Sequence, residues 1–285
     1  HRGGVLRPVH QGGTAVSARL EAIIMGCGSS AGVPRADGAW GACDPDDPRN
    51  RRSRCSLMVR RLDEGPETTV VVDAAPEFRL QANAAHVRRL DALLLTHDHA
   101  DQCHGIDDIR GFAIAQRQRI VCWADAATAA SLQQRFSYIF RGEGPYPAIA
   151  EMHVTPAHGE AFTIGGPSGP IPAVTFEQEH GGLNSLGYRF GNLAYSSDVV
   201  ALPEAAFEAL HDLDVWIVDA LRDTPHPTHA HVEKTLGWIE RVKPKRAVLT
   251  NMHIDLDYAA LAARLPPGVT PAHDGLRFEI PLASA

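Results

Sequence analysis

Nowhere in the 285 residues is there an apolar run approaching the roughly 18 to 20 residues that a membrane-spanning helix needs, so a soluble protein without a membrane partner is expected. Cysteine is sparse: Cys27, Cys43, Cys55, Cys103 and Cys122 are odd in number, scattered and free of any CxxC pair. That excludes a secreted disulfide scaffold and a zinc finger and makes a reducing cytoplasmic compartment the expectation. An excess of positive charge is missing too. The 27 Lys plus Arg stand against 34 Asp plus Glu, a net charge of −7, which argues against a general binder of phosphate backbones and against a large nucleic acid as partner. Residues 1–18 are Gly-rich and polar and lack the apolar stretch of a signal peptide, so they read as a flexible tail before a domain at 19–285.

What is present is enough to fold. At 44% hydrophobic and 21% charged, the chain can bury a full core. Apolar periodicity and turn residues predict strands over 20–25, 56–62, 68–72, 92–95, 119–123, 173–176, 186–190, 193–196, 215–218 and 247–249. Helices are predicted over 77–89, 125–136, 203–210, 232–242 and 257–264. The Gly- and Pro-rich segment 142–172 reads as loops within one α/β domain. Early strands follow one another as a meander and later ones are separated by helices, which predicts sheets covered by helices rather than a doubly wound sheet.

Two motifs near the start mislead. Gly26-Cys27-Gly28-Ser29-Ser30-Ala31 matches the dinucleotide fingerprint, and Gly28-Ser29-Ser30-Ala31-Gly32 matches the nucleophile elbow. Both require a helix immediately afterwards, and Pro34 would fall inside it. A tight turn that lets backbone approach a site closely is the better reading.

The chemistry concentrates after the apolar run at 92–95. Thr96-His97-Asp98-His99-Ala100-Asp101-Gln102-Cys103-His104-Gly105 packs three histidines and two aspartates into eight residues. His97 and His99, two apart at a strand end, project in one direction, and with Asp101 they form a pocket for a divalent metal. Cys103 has no activating arrangement and is expected to pack in the following helix.

This segment resembles the H-x-H-x-D-H signature of the metallo-β-lactamase superfamily, with Gln102 in place of the last histidine. The resemblance implies a four-layer αβ/βα sandwich that binds one or two divalent ions, Zn or Mn. It also assigns His180 of Glu179-His180-Gly181-Gly182 and Asp198 of Tyr195-Ser196-Ser197-Asp198 as further ligands, with Asp73 as a buried group that orients them. Within the superfamily, the opening Gly26-Cys27-Gly28-Ser29-Ser30-Ala31-Gly32-Val33-Pro34, the 185–190 strand and the loop Pro225-His226-Pro227-Thr228-His229 resemble the phosphoribosyl 1,2-cyclic phosphate phosphodiesterase branch. Asn251 stands where that branch has a last ligand histidine, and only Cys43 remains of its structural zinc cluster. Gln102 and Asn251 predict a weakened second metal, for which His104 or His253 are candidate replacements.

The expected activity is hydrolysis of a small phosphodiester, cyclic or nucleotide-like, by a metal-activated hydroxide. Asp101 and His229 are the expected catalytic residues, and His97, His99, Asp101, His180, Asp198 and His253 the metal ligands. Arg51, Arg52 and Arg54 are candidate phosphate contacts. Ester, lactone or thioester hydrolysis, or a non-catalytic metal- or nucleotide-binding module with a decayed second site, are the alternatives. A homodimer is compatible with all of them.

Overall fold

Within the strands, successive apolar residues are shared between two cores. Ala22, Ile24, Leu57, Val59, Val70, Val72, Ala92 and Leu94 face one; Ile23, Met25, Met58, Val71, Leu93 and Leu95 face the other. A period of two with both phases apolar describes a sheet covered on both faces. The computed structural model describes residues 18–63 and 65–282, so the tail expected at 1–18 lies, apart from Ala18, outside the described residues.

In chain order the first sheet takes β1 (Arg19–Gly26), β2 (Ser56–Leu62), β3 (Thr68–Val72), β4 (Ala92–Leu94), β5 (Ile120–Ala124) and β6 (Ala150–Val154). The second takes β7 (Ala161–Ile164), β8 (Ile171–Glu179), β9 (Asn184–Phe190), β10 (Leu193–Ser196), β11 (Val215–Asp219), β12 (Arg246–Thr250) and β13 (Val269–Pro271). The last strand, β14 (Arg277–Pro281), returns to the first sheet, giving orders β14-β1-β2-β3-β4-β5-β6 and β13-β12-β11-β10-β9-β8-β7. Each sheet begins antiparallel and becomes parallel, from β3 onward in the first and from β10 onward in the second.

Helices α1 (Phe78–Ala84), α2 (Ala100–Cys103), α3 (Arg110–Gln116), α4 (Ala126–Arg135) and α5 (Ser137–Arg141) go with the first sheet; Phe78, Cys103, Ala113, Leu132 and Ile139 share the core that its outer phase enters. Helices α6 (Glu204–Ala209), α7 (Val232–Val242) and α8 (Tyr258–Ala262) contribute Ala206, Val232 and Leu261 to the core of the second. The result is the expected four-layer αβ/βα sandwich.

The segment 142–172 is not all loop, because it contains β6 and β7. These, with β13 and β14, are the four strands the sequence reading misses, and they are the four sheet edges. An edge strand pairs on one side only and stays partly solvated, so its sequence carries no continuous apolar run. Among the described residues no helix is long and apolar enough to cross a membrane.

Candidate metal centre

Parallel pairing brings the C-terminal ends of neighbouring strands to one edge, and the site is built there. Asp73 follows β3, His97 follows β4, Asp198 follows β10, Asp219 ends β11 and Asn251 follows β12. Three of these, Asp73, Asp198 and Asn251, are left-handed, with φ of 63°, 51° and 60°. Asp and Asn tolerate that conformation best among residues with a side chain, and such strain collects where a chain must turn sharply to present a functional group.

His97, His99 and His180 meet with ring centroids 4.5 to 5.3 Å apart. Their ring nitrogens include a set lying within 4.8 Å of one another, as do those of His180 and His229 with a carboxylate oxygen of Asp198. Hydrogen bonds fix which nitrogen is free. Thr96 donates its hydroxyl proton to Asp73 Oδ2 at 2.8 Å, so Thr96 Oγ1 accepts in turn from His97 Nδ1 at 2.9 Å. His97 Nε2 is left buried without a hydrogen-bond partner. His180 Nδ1 donates to the Thr228 carbonyl at 2.7 Å, which leaves its Nε2 with a lone pair 3.9 Å from Asp198 Oδ1. Burial, with the neighbouring imidazoles His180, His99 and His229, pushes His97 well below the usual histidine range. A neutral imidazole with an orphaned, inward lone pair suits a divalent ion, and three histidines with one Asp198 oxygen make a complete mixed N/O set. His99, the exposed member, leaves one side open to solvent.

The loop carrying Thr228 reaches His180 because Gly181 has no side chain: a Cβ there, at φ 63°, would sit 2.3 Å from the Thr228 methyl. Tyr188 of β9 donates to the Leu95 carbonyl at 2.7 Å, and the Leu186 amide donates to Thr96 oxygen at 2.9 Å, bracing the backbone just before His97. Gly26 serves similar close packing, since its Cβ would lie 2.0 Å from the Arg54 carbonyl. No helix follows it before Pro48, so neither misleading motif has its required context.

His229 lies across the site, its ring centroid 4.8 Å from that of His180. Nδ1 is 2.8 Å from Oδ2 of the fully buried Asp219, and Nε2 is 3.8 Å from Asp198 Oδ1. Burial alone would lower the His229 imidazole, but the Asp219 carboxylate and its hydrogen bond, then Asp198 and Asp101, raise it to about 9. Burial pushes the Asp101 and Asp198 carboxyls upward, and for Asp101 the Asp198 charge adds to it. A cation between them would reverse that direction.

Several candidates from the sequence fall elsewhere. His253 does not join the cluster: its Nε2 meets Arg35 Nη2 at 2.5 Å and its Nδ1 lies 2.9 Å from Asp255 Oδ2. His104 turns outward to Arg135 and the Phe136 ring. Arg52 is 1% exposed and donates to the carbonyls of Leu256 and His253 and to Asn50, with its Nη1 3.7 Å from Cys43 sulfur. It ties the Cys43 loop to the segment after β12 and is closed to substrate. Arg54 is held by Glu77, and Arg51 lies over the Trp40 ring. Cys103 is buried on α2 with its thiol pushed up to about 12, chiefly by burial, in keeping with a cysteine that packs in the helix.

Three contacts are not legible in the sequence: those of Asp219 with His229, of Arg35 with His253 and of the Thr228 carbonyl with His180. Asp219 ends an apolar strand like many structural aspartates, Arg35 carries only the hint of following the Gly32-Val33-Pro34 turn, and a carbonyl leaves no trace in a sequence.

The chain matches the Beta-lactamase superfamily domain over residues 68–254. A solved structure titled as a new diphosphatase from the PhnP family is 34% identical, with a TM-score of 0.82, covering 93% of this chain and 99% of that one. Zn2+-bound PqqB from Methylobacterium extorquens (18% identical, TM-score 0.70, covering 90% of this chain and 99% of that one) shares the fold. Human short-form tRNase Z does likewise (13% identical, TM-score 0.65, covering 92% and 100%). An octanoyltransferase from Porphyromonas gingivalis is 29% identical over 265 residues, 90% of this chain; the chain spans about half, 51%, of that relative's length. The two seven-stranded sheets, the ligand cluster at their common edge and these matches place the chain in the metallo-β-lactamase superfamily, within its PhnP family.

Proposed function

We propose that the chain hydrolyses a small phosphodiester, cyclic or nucleotide-like, with Zn or Mn as its ion. The observation that carries this reading is the Asp219–His229 pair set against the three-histidine group. When bound by His97, His99, His180 and Asp198, a divalent ion lowers the pKa of water toward neutrality and polarises a phosphoryl oxygen.

The rest of the work falls to side chains. His229 donates from Nδ1 to Asp219, which fixes the ring and leaves Nε2 on the site side, where it holds the proton for a departing alkoxide. Asp101, in the first turn of α2 and hydrogen-bonded by Gln102 at 3.2 Å, orients the attacking water. Arg52 and Arg54 are engaged elsewhere and take no part in this reading of the phosphate contacts. The PhnP-family structure's description as a diphosphatase supports chemistry at phosphorus.

A second reading, hydrolysis of an acyl thioester or ester, draws on the octanoyltransferase relative. That name belongs to a protein about twice as long, and the acidic role of His229 suits a basic alkoxide leaving group better than a thiolate, which departs without a proton. The deciding experiment assays the ion-loaded chain on bis(p-nitrophenyl) phosphate, a cyclic nucleotide and an octanoyl thioester. Turnover of the phosphodiesters is expected. Turnover of the thioester alone overturns the proposal.

A further inference from the structure

We infer that this chain holds one divalent ion, and that the side-chain amides of Gln102 and Asn251 take by hydrogen bonding the place where its resemblance to dinuclear relatives predicts a second. The inference rests on the metal-dependent reading above, but concerns the count of ions and not the substrate.

Gln102 Nε2 lies 2.8 Å from Asp198 Oδ2 and 3.2 Å from Asp101 Oδ2. One N–H2 group therefore bridges the two carboxylates, as a cation would, through protons and without charge. Asn251 Nδ2 adds a weaker contact, 3.4 Å from Asp198 Oδ1, and lies 3.1 Å from His229 Nδ1. For Gln102 the amide orientation follows from its two neighbours, because carboxylate oxygens demand donors and a turned amide would set oxygen against oxygen.

A second ion would have to displace these donors. Zn–O distances are roughly 2.0 to 2.2 Å, so an ion on both Asp101 and Asp198 would occupy the space that the Gln102 nitrogen and its protons now fill. Gln102 is fully buried, and its own Oε1 has no hydrogen-bond partner, so the side chain has no solvated position nearby to retreat to. If the amides did turn, they would offer neutral carbonyl oxygens, which suit Mg2+ or Ca2+ better than a transition ion. The imidazoles do not make up the deficit of two: His253 is committed to Arg35 and His104 to Arg135, and His229, held by Asp219 through Nδ1, turns only its Nε2 toward Asp198 Oδ1, at 3.8 Å, one donor where two are missing.

The other centre is undisturbed. His97 Nε2, His180 Nε2 and His99 are untouched by either amide, and Asp198 Oδ1, 3.9 Å from His180 Nε2 and 3.8 Å from His229 Nε2, has from the amides only the long Asn251 contact. The stabilisation that a second ion gives a leaving oxygen in two-metal sites must then come from protein groups, and His229 is the one in place.

The test is a count of ions per chain. The metal-free chain is reloaded with excess Zn2+ or, separately, Mn2+, desalted, and measured by elemental analysis and native mass spectrometry. One ion per wild-type chain is expected, and two in the Gln102→His/Asn251→His double variant, where imidazole lone pairs replace amide protons. Two tightly held ions in the wild type overturn the inference. A folded double variant that still takes one overturns the assignment to the amides. Cobalt titration of the wild type needs no variant: absorption saturating at one equivalent is expected, and two equal steps refute the single site. A chain that binds no ion overturns the metal-dependent reading itself, whereas one ion without phosphodiester turnover removes only the substrate class.

Discussion

Nδ1 of His229 and Oδ2 of Asp219 are 2.8 Å apart, and Asp219 is shut away from solvent at the end of β11. The buried carboxylate thus sets both the orientation and the proton affinity of an imidazole ten residues further along the chain.

His229→Ala should leave the ion content unchanged and lower phosphodiester turnover by roughly 10²- to 10⁴-fold, the range of a lost general acid. The loss should be larger for a substrate with a basic alkoxide leaving group than for one with p-nitrophenolate. An equal loss on both would assign His229 to phosphate binding, and loss of the ion would make it a ligand.

Asp219→Asn should act through His229. Turnover falls by roughly 10- to 100-fold, the scale of a lost orienting partner. Removing the carboxylate that raises the imidazole moves its pKa down, so the acid form is lost earlier as pH rises. The alkaline limb of the pH profile should therefore shift to lower pH, which a purely structural role for Asp219 would not produce.

Gly181→Ala should weaken ion binding rather than chemistry. The added methyl meets Thr228 and takes a left-handed φ, displacing the carbonyl that fixes the His180 tautomer. A roughly 10-fold loss of affinity in chelator competition is expected; unchanged affinity would show that the Thr228 contact is dispensable.

Arg52→Ala should cost stability, about 3 kcal/mol in urea unfolding, because it strips buried carbonyls of Leu256 and His253 of their donor. KM for a phosphodiester should stay nearly constant. A large rise in KM would return Arg52 to the substrate.

Asp274 makes stability fall with rising pH. Burial raises its carboxyl to about 6, although the backbone and side chains of Ser53 and Cys27 hydrogen-bond to it. Its folded pKa exceeds the unfolded one, so its contribution is most favourable below about pH 4 and declines until about pH 6. Compared with Asp274→Asn, the wild type should lose up to about 3 kcal/mol across that window. A pH-independent difference between the two proteins would refute this.

Strands β2, β3 and β10 and helix α7 coincide with the ranges read from the sequence, because the strands are mostly buried and the helix lays an apolar face, Leu236, Ile239 and Val242, against the core. Helix α1 ends at Ala84, short of the predicted Arg89, since residues past it turn back with His86 left-handed. Short helix α3 leaves no mark in the sequence because seven residues offer too few turns for a period to show, and α2 is expected there only as a helix without bounds that holds Cys103.

By itself the sequence determined the layered α/β class and the interior strands, singled out His97 and His99 as candidate ligands and, through resemblance, named His180 and Asp198 beside them. These are local signals: apolar alternation, a dense run of ligand residues, a short motif. Tertiary structure alone decided that Arg52 is a buried tie, that His253 belongs to Arg35, that Asp219 governs His229 and that Gln102 joins Asp101 to Asp198. Of those pairings, Asp219 with His229 and Asp198 with Gln102 form where parallel strands end at one edge, whereas Arg35 and Arg52 reach the segment after β12 from the connection between β1 and β2. Whether a side chain there is ligand, donor or brace depends on which lone pair or proton faces it, and only the folded chain sets that.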